Sequence, residues 1–501
     1  MGFFGATLLG IDAWPVEIDT RILGGQMGRF LLTGLPGVAV KESRDRVRAA
    51  FAAAGFAFPK RSVLVHLAPG DLRKEGPLLD LPIALAMLQE SDQLVLENDA
   101  RILAAGELAL DGRLRGVRGA VPIAAAAREA GFSTVLLPCE NAAAAALVEG
   151  IRVIGVASLI EAAAFLSGSL TLAPARPAPP ETSPDERGRL RDVRGQTDAK
   201  RALAVAAAGR HNVLLIGPPG SGKTMLARRL SALLPELDTE QAQEVARIRS
   251  VIDRGAATIT RRPPFRAPHH TSSSAAMVGG GPHLRPGEVT LAHHGVLFLD
   301  EFPEFPRHAL EALRQPLEDR VVSITRAAGQ VVFPADICLV AAMNPCPCGY
   351  RGHPKRVCRC TDVQVQRYVQ RISGPLLDRI DVVLEVPPVE VNVLLDPPEA
   401  SEEEDLEEAI DRARRAQELR LPGHAAPFNG RLEPWELDRH CAVAGGARRL
   451  LVEAAERMNL SGRAIQRVRR VARTCADLGG HESIDRGDVA WALAVRGTIE
   501  P

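Results

Sequence analysis

Eight consecutive residues, Gly217-Pro218-Pro219-Gly220-Ser221-Gly222-Lys223-Thr224, fit the pattern GxxxxGK[ST] without a gap. Glycines in such a run let successive backbone N–H groups turn inward around a phosphate chain. The lysine then reaches the β- and γ-phosphates, the threonine hydroxyl ligates Mg²⁺, and the helix that follows points its positive end at the anion. Downstream, Val296-Leu297-Phe298-Leu299-Asp300-Glu301 is an apolar strand-length run ending in two acids. A solvated acidic turn is the bland alternative, but its place after a phosphate loop favours chemistry. Asp300 then stands near the metal and Glu301 beside the γ-phosphate, where a carboxylate polarises an attacking water. The chemistry implied is Mg²⁺-dependent ATP hydrolysis.

Three further polar residues fall in the order such a motor needs. Asn344, closing the apolar run Ile337–Met343, can orient the lytic water from a neighbouring strand. Arg379, in SGPLLDRID, can project across a subunit boundary onto a γ-phosphate, and Arg463, opening the run Ser461–Leu478, can report nucleotide state to a helical lid. A capping asparagine and surface arginines are the ordinary readings of each alone. Cys346, Cys348, Cys358 and Cys360 form two CxC pairs around a loop containing Gly and Pro, a spacing able to surround one structural Zn²⁺; four incidental reduced thiols are the alternative. His353, inside the loop, can replace a ligand. Cys139, Cys338, Cys441 and Cys475 are scattered and read as core or surface residues.

The elements that must position these groups are visible as runs of period and punctuation. Asn212–Ile216, Gly295–Leu299 and Ile337–Ala342 read as buried strands, with a helix over Thr224–Leu234; their alternation predicts a parallel sheet covered on both faces. Residues 1–166 mix strands at Ser62–Leu67, Ser133–Leu137 and Arg152–Val156 with helices at Val40–Ala54 and Leu81–Gln89, an α+β or α/β unit. The Pro-, Ser- and Ala-rich stretch 167–188 reads as an extended linker. The catalytic α/β domain is then 189–390, and 391–501 a separate all-α bundle. Its helices are expected at 405–419 behind a Ser401/Glu404 capping box, and at 433–442, 446–458, 461–478 and 485–496.

Two stretches are poised to touch a substrate. Residues 265–288 are polar, glycine-rich and too irregular for a core element. Val321–Thr325 and Gln330–Phe333 read as a hairpin turning at Arg326-Ala327-Ala328-Gly329. In a ring of subunits both can line a central channel, with Arg326 and Arg320 near a DNA backbone; packing against a neighbour is the alternative. The 61 basic and 61 acidic residues cancel, so the chain as a whole exerts no attraction on nucleic acid. Hydrophobic residues at 46% and charged residues at 24% are ordinary for a globular protein. No apolar run reaches membrane-span length, and the first residues lack the marks of a secretory signal or a myristoylation site, so a cytoplasmic location is expected.

With AGRHNVLLIGPPGSGKTMLARRL, the segments FRAPHH, GEVTLAHHGVLFLDEFPEF, AAMNPCPCGY and RISGPLLDRID resemble the magnesium-chelatase-like AAA+ proteins of the ComM (YifB) type over essentially the whole chain. The resemblance implies a homo-hexameric helicase that promotes branch migration of DNA heteroduplexes in recombination and natural transformation. It also implies kinship with MCM helicases through an insert in helix 2 and a hairpin before the first sensor. The first domain is similar to the proteolytic domain of Lon, whose nucleophilic serine would fall at position 78 and whose lysine would fall at position 121. Leu78 can attack nothing and Val121 cannot act as a base, which implies a kept fold without the protease dyad. Three rivals stand beside the helicase reading. One is a magnesium-chelatase motor subunit driving metal insertion through protein partners, which the Lon-like front and the CxC pairs fit poorly. The others are an ATP-dependent protease and a scaffold that only binds ATP.

Overall fold

The computed structural model describes residues 2–97, 101–177, 190–254, 259–281, 284–326, 329–390, 392–393, 401–424 and 426–496. The first half is built on β1 (Phe3–Leu9), β2 (Asp12–Met27), β3 (Phe30–Thr33), β4 (Arg61–Ala68), β5 (Ile102–Ala104), β8 (Thr134–Pro138) and β9 (Arg152–Val156), with a small antiparallel pair β6 (Glu107–Leu108) and β7 (Leu114–Arg115) beside them. Among the described residues the seven larger strands form one sheet in the order β3-β4-β2-β1-β5-β8-β9. β2 runs antiparallel to β1 and β4, whereas β3 on β4 and the run β1-β5-β8-β9 are parallel. This is the mixed α+β domain expected of the first half. Helices Ser43–Ala53 and Asp80–Glu90 pack into the core on one side of the sheet and Ala120–Glu129 into that on the other.

The second half holds β10 (Val213–Ile216), β11 (Phe265–Arg266), β12 (Gly279–Gly280), β13 (Arg285–Pro286), β14 (Val296–Leu299), β15 (Val321–Arg326), β16 (Gly329–Pro334), β17 (Cys338–Met343) and β18 (Val382–Glu385). Five of them make an all-parallel sheet in the order β11-β14-β17-β10-β18. Every side chain of β14 and β17 is buried, which is why these strands read as unbroken apolar runs rather than alternating ones. The predicted hairpin is present as β15 and β16, antiparallel from Val321↔Pro334 to Arg326↔Gly329; the side chain of Arg326 and residues 327–328 lie outside the described residues.

Three expectations need correction. The stretch 265–288 does enter the core: Phe265 and Arg266 form the edge strand β11, Phe265 stacks on Phe298 with ring centroids 6.0 Å apart, and Met277 is fully buried. A few apolar residues spaced among glycines suffice, because Arg266 is clamped by Glu288 through two bonds of 2.7 and 2.8 Å. The tail is helical, with helices Ser401–Arg420, Pro434–His440, Gly445–Arg457, Gly462–Gly479 and Arg486–Ala494, but it is not a separate bundle. Val468, Val471 and Cys475 share one hydrophobic core with helix Thr197–Gly209 and with β10 and β17. Helix Ser401–Arg420 already includes Ser401, and the side chains of the expected capping box lie outside the described residues. Finally, the linker is not free from its start: Ala175 N–H donates to Val153 O at 2.8 Å, and residues 178–189 lie outside the described residues.

The two halves are joined along helix Thr239–Ile252. Arg247 bonds the Ile11 carbonyl and the Asp12 carboxylate, Gly119 N–H donates to Ser250 O at 2.7 Å, and Gln243 donates to Leu147 O at 3.2 Å. Ile11, at the β1–β2 turn, is buried in the core of the second half beside Val251, Val331 and Phe333. Removing its side chain leaves a cavity at the joint, so Ile11→Ala is expected to cost about 2–4 kcal/mol. Calorimetric unfolding and limited proteolysis of the full chain should show a lower transition for the first half; an unchanged thermogram would contradict this docking.

Candidate nucleotide-hydrolysing site

The C-terminal ends of β10, β17 and β14 lie side by side, and the residues that follow each strand converge. Ile216 pairs with Met343 and Leu299 with Ala341, so the phosphate loop, Asn344 and Asp300 leave the sheet at one edge. Gly220 and Gly222 hold φ of 80° and 89°, and Gly222 is the left-handed cap of helix Lys223–Leu233. Thr224 Oγ1 donates to Asp300 Oδ2 at 3.0 Å. Lys223 is buried, and its Nζ donates to Gly217 O at 2.8 Å, Pro218 O at 3.0 Å and Asn344 Oδ1 at 3.3 Å. Burial lowers its pKa while Asp300 opposes the shift. An ammonium held this way in its own loop is stabilised further by an incoming phosphate. Ser221 Oγ is buried without a partner, and with the lysine and the inward-turned loop it fits a triphosphate and its Mg²⁺.

Glu301 has a neighbour that the motif reading did not assign. His270 Nδ1 lies 2.9 Å from Glu301 Oε2, and the His269 and His270 ring centroids are 4.2 Å apart with the rings tilted by 33°. Both histidines belong to the FRAPHH segment, so its anchored strand β11 carries them to the acidic pair. The signal available in the sequence was that segment's place before the acidic strand; nothing in spacing alone tied it to Glu301.

Arg379 and Arg463 stand elsewhere. Asn212, just before β10, donates to the Arg379 carbonyl at 2.8 Å, so Arg379 sits at the N-terminal edge of the sheet. One four-residue strand separates it from the phosphate loop, about 13 Å. There its guanidinium contacts Glu318 and donates to Pro375 O at 2.6 Å. Arg463 approaches the same Glu318 at 3.5 Å and is mostly exposed. Arg463 opens the lid helix at this same edge, on the side of the sheet away from the phosphate loop of its own chain. Arg320 also departs from expectation: its guanidinium turns inward to Arg431 O at 2.8 Å rather than outward to a channel.

The Sγ atoms of Cys346, Cys348, Cys358 and Cys360 all lie within 4.8 Å of one another, with three of the separations at 3.4–3.6 Å. Four sulfurs about 2.3 Å from a common centre would be spaced much like this. Backbone N–H groups of Arg359 and Tyr350 draw the Cys348 thiol down to about 6, while burial and the neighbouring thiols push those of Cys358 and Cys360 up. His353 is not among them; its Nδ1 accepts from the backbone of Lys355 and Arg356. The cysteine loop abuts the phosphate loop: a Cβ on Gly349 would sit 2.7 Å from the Pro219 ring.

Comparison with known proteins follows the same lines. The description of magnesium chelatase subunit ChlI matches residues 189–394, that of its C-terminal region residues 400–496, and a further ChlI description residues 16–141. Protein YifB of Salmonella typhimurium is 43% identical over 493 residues, spanning 97% of this chain and 95% of its own. Competence protein ComM of Haemophilus influenzae is 41% identical over 497 residues, 98% and 96% of the two chains. The chain belongs to the ComM/YifB family of magnesium-chelatase-like AAA+ proteins. Membership makes it an ATPase motor that uses nucleotide and Mg²⁺. Shorter likenesses are to Lon protease 2 of Bacillus subtilis, 32% over 160 residues (28% of this chain, 26% of Lon), and to the Holliday junction branch migration complex subunit RuvB of Prochlorococcus marinus, 27% over 333 residues (64% and 70%). Among the described residues no helix is long and apolar enough to cross a membrane.

Two substitutions separate the roles at this edge. Glu301→Gln is predicted to keep ATP binding while lowering turnover by about a hundredfold or more. His270→Ala is predicted to lower turnover about tenfold with little change in KM, since it releases the glutamate without touching the phosphate loop. Steady-state ATPase kinetics with nucleotide-binding titrations check both; wild-type turnover in His270→Ala would leave that histidine without a role.

Proposed function

We propose that the chain is one subunit of a ring of six identical copies that couples ATP hydrolysis to movement on DNA, promoting branch migration in recombination and natural transformation in the cytoplasm. The observation that carries the ring is the separation of Arg379 and Arg463 from the phosphate loop of their own chain. Two arginines at the far edge of the sheet are out of reach of their own phosphate loop and free to act on a neighbour's nucleotide once Glu318 releases them. In this reading Lys223 and the turned backbone of residues 217–224 hold the phosphates, and Thr224 and Asp300 hold Mg²⁺, which supplies charge neutralisation on the phosphate oxygens. Glu301 draws the proton of the attacking water, Asn344 orients that water, and His270 fixes the rotamer of Glu301. The neighbour's finger guanidinium stabilises charge on the transferred group. DNA as the substrate is supported by the family's ComM member, by the likeness to RuvB and by the hairpin β15–β16. The four cysteines are assigned to a structural Zn²⁺, since four thiolates leave no open position for catalysis.

One observation favours a second reading, a chelatase-type motor acting through protein partners. The front domain, whose Lon-like character set the chain apart from chelatase subunits, is itself matched by a ChlI description over residues 16–141.

Mixing tests the shared site. Lys223→Ala and Arg379→Ala chains are each expected to be inactive alone, yet to regain part of the ATPase rate when combined, because a mixed ring contains intact composite sites. No recovery in mixed rings confirmed by size would count against a finger acting between subunits. On forked or three-stranded DNA the wild-type chain is expected to displace a strand with ATP; absence of any DNA-dependent activity, with binding to chelatase partners, would favour the second reading. Metal analysis should find one Zn²⁺ per chain, lost in Cys358→Ser.

A further inference from the structure

Between the two halves lies a cleft of about 250 Å³ whose lining includes Leu78, the residue at the position of Lon's nucleophile. Positive charge gathers there. Arg118 comes from the loop before helix Ala120–Glu129, Arg254 from just beyond helix Thr239–Ile252, and Arg285 from β13. Three guanidinium groups from three separate elements, two of them belonging to the ATPase half, thus face one space.

Their compensation is incomplete. Glu107 accepts from Arg254 at 3.1 Å and also faces Arg115 at 3.8 Å, while Glu75, the other carboxylate of the lining, is paired with Arg73 at 3.0 Å. Asp253 lies close enough to favour the charge on Arg118. Even so, neither Arg118 nor Arg285 has an ion pair among the described residues, and Arg118 Nε is buried without a hydrogen-bond partner. Burial, followed by repulsion from Arg285 and Arg254, holds the Arg118 pKa below its usual value. Guanidinium groups crowded into a partly buried cleft with spare donors are under electrostatic tension that a bound anion removes.

We propose that this cleft is a phosphate-binding site bridging the Lon-like half and the ATPase half. Two guanidinium groups without ion-pair partners match the charge of a phosphate dianion better than that of a carboxylate. The apolar wall at Leu78 leaves room for the group that carries the phosphate. That group is either a small phosphorylated molecule or the backbone of a nucleic-acid strand, and the inference is independent of the motor reading.

The test uses the full chain carrying Lys223→Ala, which weakens the phosphate loop as a competing site. Calorimetric titration with inorganic phosphate is expected to show binding that falls about tenfold or more in Arg118→Ala and in Arg285→Ala. Arg285 is exposed, so its variant should fold even if Arg118→Ala does not, and equal melting temperatures without phosphate confirm the comparison. The source of the phosphate is read with a short single-stranded thymidine oligonucleotide. If the oligonucleotide displaces phosphate and weakens in the same variants, the occupant is a nucleic-acid backbone. If only phosphate binding falls, the occupant is a small phosphorylated molecule. No phosphate binding by the Lys223→Ala chain, or binding that neither arginine variant changes, would overturn the site.

Discussion

The contact between Thr224 and Asp300, 3.0 Å across the mouth of the sheet, records the constraint on which the ATPase half depends, the register of its parallel strands. It exists only because β17 stands between β10 and β14, all three parallel and flush at their ends. A slip of one residue along either strand would turn a buried row toward the other face and carry the acid away from the loop. Side chains buried on both faces make such a slip costly, so the unbroken apolar runs hold the catalytic register.

Around that edge the chain distributes its demands. The phosphate loop carries a buried ammonium held by two carbonyls and Asn344, a conformation that favours an anionic guest. Behind it the lid shares its core with the sheet, so the helical tail and the parallel strands pack as one body. The arginines at the opposite edge share one carboxylate partner, Glu318.

Much of this was legible in sequence because the groups proposed to hold phosphate sit within eight contiguous residues, and because fully buried strands announce themselves by composition. The cysteine pairs were legible for the same local reason. What spacing did not reveal was placement that depends on long-range packing. His270 reaches Glu301 only because Phe265 and Arg266 add a strand to the sheet, and two residues carry too little periodicity to be recognised. Order in the chain likewise did not reveal that the helix Arg463 opens begins at the opposite end of the sheet, beside Glu318. The three arginines of the inter-domain cleft come from distant parts of the sequence and share no pattern.

Ile11 seals the β1–β2 turn against Val331 and Phe333 of the hairpin and against the helix that precedes the insert. The front half is therefore geared to those two elements as a cog is to its rack. A swing of the hairpin would carry the whole N-terminal body with it, so a small displacement beside Ile11 becomes a large arc at the far side of the front half.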